Sequence, residues 1–136
     1  GDPWSGQMAL PGGRRDAGDP DLLATAIREA REEVGIELQP GRVLGELDDL
    51  RPRALTLPAI VVRPFVFALP AKPAVFPSAE VALHVWVPLD ELVAGRPREI
   101  EIAAVGRRLP AYLIGEHVVW GMTERILTPF FELARP

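Results

Sequence analysis

Apolar residues recur at Leu23, Ala26, Ile27, Ala30 and Val34, the i, i+3, i+4, i+7 spacing that lays one stripe along a helix. The pattern predicts a helix over about 20–34. Asp19 is its expected N-cap, Pro20 fits the first helical position, and Gly35 can close it in the left-handed region. A second stripe, Val119, Met122, Ile126, Phe130 and Leu133, predicts a helix over 118–133 that Pro129 should kink or restart. Between the two, the period becomes strand-like. Runs at 43–47, 60–69, 81–87, 100–105 and 109–114 are β-branched or aromatic and bounded by Gly or Pro, with a short helical turn expected over 88–93. Prolines scattered at the boundaries (Pro11, Pro40, Pro52, Pro58, Pro70, Pro88, Pro110) fit many short elements joined by turns. This is an α+β pattern, an α/β/α sandwich in which a mixed sheet is flanked by two main helices.

Composition narrows the chemistry. With 136 residues, 48% hydrophobic and 25% charged, the chain has the balance of one folded domain. Lys plus Arg number 15 against 19 Asp plus Glu, a net charge of −4, which argues against nucleic acid as a partner. There is no Cys, and His84 and His117 are the two imidazoles, so a strong cation site must be built from oxygens. Those donors suit Mg²⁺, Mn²⁺ or Ca²⁺. The apolar stretch 55–71 is cut by Pro58, Arg63, Pro64 and Pro70, too broken to span a bilayer as a helix. The opening Gly1-Asp2-Pro3-Trp4 lacks the basic and apolar regions of a signal peptide, so a cytoplasmic location is expected.

The informative segment is the end of the first helix, Arg28-Glu29-Ala30-Arg31-Glu32-Glu33-Val34-Gly35-Ile36. Glu29, Glu32 and Glu33 stand at i, i+3 and i+4, so three carboxylates share one face. They repel each other there, in the last turns, where the helix dipole disfavours anions by roughly 0.3–1 kcal/mol each. Arg28 and Arg31 offset part of this, and a solvated face laced with ion pairs would account for the string by itself. A divalent cation among the carboxylates would instead reverse the sign of the problem. The Gly12-Gly13 turn in front favours the second account, because backbone without a Cβ can approach a cation or phosphate closely.

These residues resemble the Nudix box, G-x5-E-x7-R-E-U-x-E-E-x-G-U with U aliphatic. Arg28, Glu29, Glu32, Glu33, Gly35 and Ile36 match its second half, with Ala30 in the aliphatic slot. Counting from Gly13, the acidic position of the first half falls on Asp19, one residue further from Arg28 than the general pattern has it. That spacing, preceded by Gly6-Gln7-Met8-Ala9-Leu10-Pro11-Gly12-Gly13, resembles the coenzyme A pyrophosphatase branch, with Leu10 where the branch usually has Phe. Pro77-Ser78-Ala79-Glu80-Val81, Leu109-Pro110-Ala111-Tyr112 and Val119-Trp120-Gly121-Met122-Thr123 extend the likeness over most of the chain. The family also carries a strand with Leu and Arg ahead of the position of Gly6, so a single domain over 1–136 without that first strand is expected.

The resemblance implies a Nudix fold and hydrolysis of a nucleoside-linked diphosphate by water, with Mg²⁺ or Mn²⁺ bound. It implies Glu29, Glu32, Glu33 and the Gly13 carbonyl as metal ligands, Arg28 as the residue orienting the glutamates, and Glu80 as general base or further ligand. Arg14 and Arg15 could grip phosphate through their guanidinium forks. Coenzyme A is the expected substrate. The alternatives are ADP-ribose or another dinucleoside diphosphate, a nucleotide-binding module that does not cut, and a structural domain with an acidic helix. Trp86 and Trp120 read as core or near-core, Trp4 as packing near a terminus. A homodimer is plausible, as for many small α/β enzymes, although no residue points to it.

Overall fold

The computed structural model describes residues 7–53 and 59–136. Trp4, Gly6 and the boundary at Pro58 therefore lie outside the described residues. Contacts divide the described residues into two units, one of 11–49 and 63–85, the other of 7–10, 50–53, 59–62 and 86–136.

In the first unit, α1 runs Leu22–Val34. Its N-cap is Asp21 rather than Asp19: the Asp21 side chain accepts from the Ala24 amide at 2.8 Å. Asp-Pro-Asp offers two capping carboxylates, and the first is committed elsewhere. Gly35 closes the helix at φ 68°, its amide bonding back to Ala30 and Arg31. Ala30 and Val34 are buried, so the predicted stripe faces inward. Beyond a single 3₁₀ turn at Pro40–Arg42, β1 (Val43–Glu46) pairs antiparallel with β2 (Phe65–Phe67), a bulge falling between Val43 and Gly45. The strand predicted over 60–69 is thus shorter, because Pro64 has no amide for a ladder and fixes its own φ.

In the second unit, Leu50 and Val62 form an isolated antiparallel bridge, exchanging two hydrogen bonds of 2.8 Å. After α2 (Leu89–Ala94) come β3 (Arg98–Ile102), β4 (Arg107–Ile114) and β5 (His117–Trp120), an antiparallel sheet in chain order, then α3 (Met122–Ala134). One sequence expectation is corrected here. The stretch 118–121 is not helical: a two-residue Gly115-Glu116 turn folds β5 back on β4, with Tyr112 opposite Val119. Its β-branched Val118 and Val119 satisfy a ladder, and α3 starts only after Gly121. Helix α3 also continues through Pro129 without restarting.

The core of this unit is Val93, Tyr112, Val119 and Phe131, with Met8, Leu92, Ile114, Leu127 and Phe130 packed against it. Tyr112 meets Phe131 edge-to-face at 5.4 Å, a geometry worth about 0.5–1.5 kcal/mol beyond area burial. Its hydroxyl lies 2.7 Å from Thr128 Oγ1, which donates to Glu124 at 2.6 Å, so the buried phenol is satisfied.

The alternating run 81–87 is not in a strand among the described residues. Alternation predicts a strand only where a ladder partner exists, and Leu83, Val85 and Trp86 are at least 41% exposed. Trp86 is therefore not a core residue, whereas Trp120 is half-buried in β5. Helices and antiparallel sheets together give the α+β class. No helix among the described residues is long and apolar enough to cross a membrane.

Candidate metal and phosphate site

The site is built on the last two turns of α1 and organised by one arginine. Arg28 Nε and Nη2 grip both oxygens of Asp19 at 2.9–3.2 Å, and Nη2 also donates to the Arg14 carbonyl at 3.0 Å. Nη1 donates to Glu29 Oε1 and Glu32 Oε2, each at 3.0 Å, and stands 3.5 Å from Asp16. The two partners are well covered, with side-chain exposures of 16% for Arg28 and 8% for Asp19. Asp19 also accepts from Thr25 Oγ1 and the Asp16 amide, each at 2.9 Å. The Arg28 bonds, those backbone and hydroxyl donors and the Arg28 charge hold the Asp19 carboxyl well below the usual carboxylate range. Arg28 is correspondingly raised, chiefly by its bond to Asp19.

Glu33 is in the opposite condition. Burial pushes its carboxyl up to about 7, and the nearby Glu29 and Glu80 add to this, although the Gly12 amide opposes it by donating at 3.0 Å. The loop after β2 brings Glu80 into range. The Phe76 amide bonds the Val34 carbonyl and the Ser78 amide bonds the Glu33 carbonyl, both at 2.8 Å, capping the end of α1. Glu29, Glu32, Glu33, Ser78, Ala79 and Glu80 then line a depression of about 350 Å³. Glu80 itself is exposed.

Two glycines make this possible. A Cβ on Gly13 would run into the Glu29 carboxylate and push it aside, so glycine lets that turn lie against Glu29 as it stands. A Cβ on Gly35 would fall 2.8 Å from the Phe76 Cβ, in addition to being strained at positive φ.

Of the residues singled out in the sequence, Glu29, Glu32, Glu33 and Glu80 come together in the depression, with Gly13 against Glu29 and Arg28 behind them. Arg14 is exposed, its carbonyl tied to Arg28. Arg15 turns away: its Nε and Nη2 donate to the Asp19 and Pro20 carbonyls at 3.1 Å. Asp19, expected as a helix cap, instead anchors Arg28, at the position of the family pattern's acidic slot. The Gly12 amide and Ser78 had no sequence signal, being long-range backbone contacts.

Among the described residues, no group of three acidic or His side chains converges tightly enough to cage a cation unaided. The donor set still suits a hard ion. It is all oxygen, it holds one carboxylate at an abnormally high pKa among like charges, and it has a glycine backbone open beside Glu29. Mg²⁺ takes a few carboxylates plus water and substrate oxygens rather than a complete protein cage.

Comparison with known proteins fits this geometry. A family profile described as NUDIX domain matches residues 1–107. A Photorhabdus laumondii protein described as an uncharacterized Nudix hydrolase NudL is 35% identical over 128 residues, 90% of this chain and 66% of that protein. A protein of the same description from Yersinia pestis is 35% identical over 127 residues, 90% of this chain and 62% of its own. An uncharacterized Schizosaccharomyces pombe protein is 40% identical over 100 residues, 68% of this chain and 30% of that protein. The chain thus spans less than two thirds of the length of these curated relatives, from 30% to 66%.

Proposed function

The chain belongs to the Nudix family, and from that premise we propose that it hydrolyses the diphosphate of a nucleoside diphosphate derivative with Mg²⁺ or Mn²⁺ bound. Coenzyme A and its thioesters are the substrates we assign, on the strength of Gly6 to Gly13 and the Asp19 spacing. Water adds across one P–O–P link, its hydroxyl going to one phosphorus and its proton to the departing phosphate. The products are phosphopantetheine and adenosine 3′,5′-diphosphate.

The observation that carries the reading is Glu33, buried enough to hold a proton near pH 7 while facing Glu29 and Glu80 around one depression. A helix surface with no ligand gains nothing from that arrangement. Glu29, Glu32 and Glu33, with the Gly13 carbonyl, would hold the cation. When bound, the cation supplies charge neutralisation at the phosphate oxygens and acidifies water. Arg28 fixes the Glu29 and Glu32 carboxylates through charge-assisted hydrogen bonds, itself held by Asp19. Glu80, exposed at the rim, is the group we assign to accept the proton of the attacking water. Arg14 is the phosphate contact, while Arg15 is occupied by backbone carbonyls.

Glu32→Gln and Glu33→Gln test the roles. Each should abolish Mg²⁺-dependent hydrolysis while leaving the circular dichroism spectrum unchanged, and full turnover by either folded variant would refute the assignment. A panel of diphosphates with products separated by mass tests the substrate. Coenzyme A should be cleaved faster than ADP-ribose; the reverse order would discard the branch and keep the reaction.

A further inference from the structure

Apart from the Tyr112 phenol, the most fully covered polar side chains among the described residues are Asp19 and Thr25, 7% and 4% exposed, and they bond to each other. Thr25 precedes Arg28, Glu29 and Glu32 by three, four and seven residues, so it stands on their face of α1 and not on the apolar stripe. A helical threonine ordinarily satisfies its hydroxyl on the carbonyl four residues back. That acceptor, the Asp21 carbonyl, lies 3.3 Å from Thr25 Oγ1, whereas Asp19 Oδ2 is closer, at 2.9 Å, and charged. A hydroxyl has one proton to donate, and the shorter bond to an anion takes it.

Asp19 Oδ2 is where the donors meet. It accepts from Thr25, from the Asp16 amide and from Arg28 Nη2, each at 2.9 Å, while Oδ1 accepts from Arg28 Nε at 3.1 Å. The torsion that turns a carboxylate is soft, so the two donors other than Arg28 set its plane. A guanidinium is rigid and planar, and a fork fixed at Nε and Nη2 has its third nitrogen fixed as well. That nitrogen, Nη1, is the one bonded to Glu29 and Glu32, each at 3.0 Å. We infer that Thr25 is a positioning residue for the cation site: its hydroxyl orients the Asp19 carboxylate, which sets the Arg28 fork, which in turn sets the Glu29 and Glu32 carboxylates. The Asp16 donor comes from the preceding loop, whereas Thr25 belongs to the helix that carries the glutamates and ties Asp19 to it. That role rests on the hydrolase reading for what the glutamates hold; the chain of bonds from Thr25 to Glu32 stands without a cation.

Two readouts on the whole chain test it, one without metal and one with. In EDTA, nuclear magnetic resonance follows the Arg28 Nε proton, whose exchange with water reports how firmly the fork is held. Thr25→Val keeps the branched shape and removes the hydroxyl, so exchange should quicken about threefold or more. Calorimetry should then find Mn²⁺ affinity lowered about threefold to tenfold in the same variant. Thr25→Ser keeps the hydroxyl and should recover most of both. In an Asp19→Asn background Thr25→Val should weaken Mn²⁺ binding little further, because the hydroxyl acts through Asp19. Should Thr25→Val fail to fold, Thr25→Ala, a stronger helix former, takes its place. Unchanged exchange or unchanged affinity in a folded hydroxyl-free variant, or losses that add to those of Asp19→Asn, overturns the inference and leaves the hydrolase reading standing. An unaltered chain that takes up no Mn²⁺ and cleaves no diphosphate overturns the hydrolase reading, and this role with it.

Discussion

Glu33 and Asp19 are two carboxyls of one site shifted in opposite directions, and the contrast yields a pH signature. Glu33 titrates near 7 when folded against 4.5 as its ordinary value, so the folded chain binds its proton more tightly than the unfolded chain. The associated stability is complete below about pH 4.5 and is lost as pH rises through 7. Without added metal, the melting temperature should therefore fall across that interval, and Glu33→Gln should flatten the fall. Asp19, held low by Arg28, acts the other way: its contribution is present above its ordinary value of 3.8 and disappears on further acidification. The cation site we propose needs the ionised Glu33, so Mn²⁺ affinity should rise from pH 6 to 8 with proton release below pH 7, read by calorimetry in buffers of different ionisation enthalpy. Asp19→Asn keeps the size of the anchor but removes its charge from Arg28. Residues that orient metal ligands typically matter 10–100-fold, so Mn²⁺ affinity should drop by about that factor while Asp21 still caps α1. An unchanged affinity would mean that Arg28 needs no anchor.

At the scale of the element, α1 is where sequence and structure agree best, because its information is local. The i, i+3, i+4 spacing placed Glu29, Glu32 and Glu33 on one face, and Gly35 closed the helix where the pattern ended. Partnerships across nine or more residues were not legible: Asp19 read as a cap because its engagement by Arg28 is tertiary. The same limit explains the strands. Val81 to Val87 alternate as a strand should, yet no ladder forms there among the described residues. Val118 and Val119 fit a helical stripe, but the Gly115-Glu116 turn makes pairing with β4 the nearer option. Alternation reports which side chains share a face, not whether a partner strand is present. The prediction that belongs at this scale concerns the end of α1. Gly35→Ala meets both a positive φ of 68° and the Phe76 Cβ, and should cost roughly 1–2 kcal/mol or more in urea unfolding. Gly41→Ala, with open space around its Cβ, should change little and serves as the control.

Over the whole molecule, charge decides how a phosphorylated ligand is received. The chain carries −4, and four of its acids line the depression assigned to catalysis, so a nucleoside diphosphate approaching it meets repulsion unless a cation is already there. Salt should then act with opposite sign in the two states. In EDTA, added salt screens repulsion, and the weak affinity for a fluorescent nucleoside diphosphate should rise slightly. With a cation that substitutes for Mg²⁺ but does not support turnover, for example Ca²⁺, the same salt screens attraction and affinity should fall. Screening acts over a Debye length of about 10 Å at 0.1 M, so the effect should be largest below that concentration. Fluorescence anisotropy measures both slopes. Slopes of the same sign with and without the cation would mean that the nucleotide is not held through the acidic depression, and that hydrolysis must be assigned to other residues.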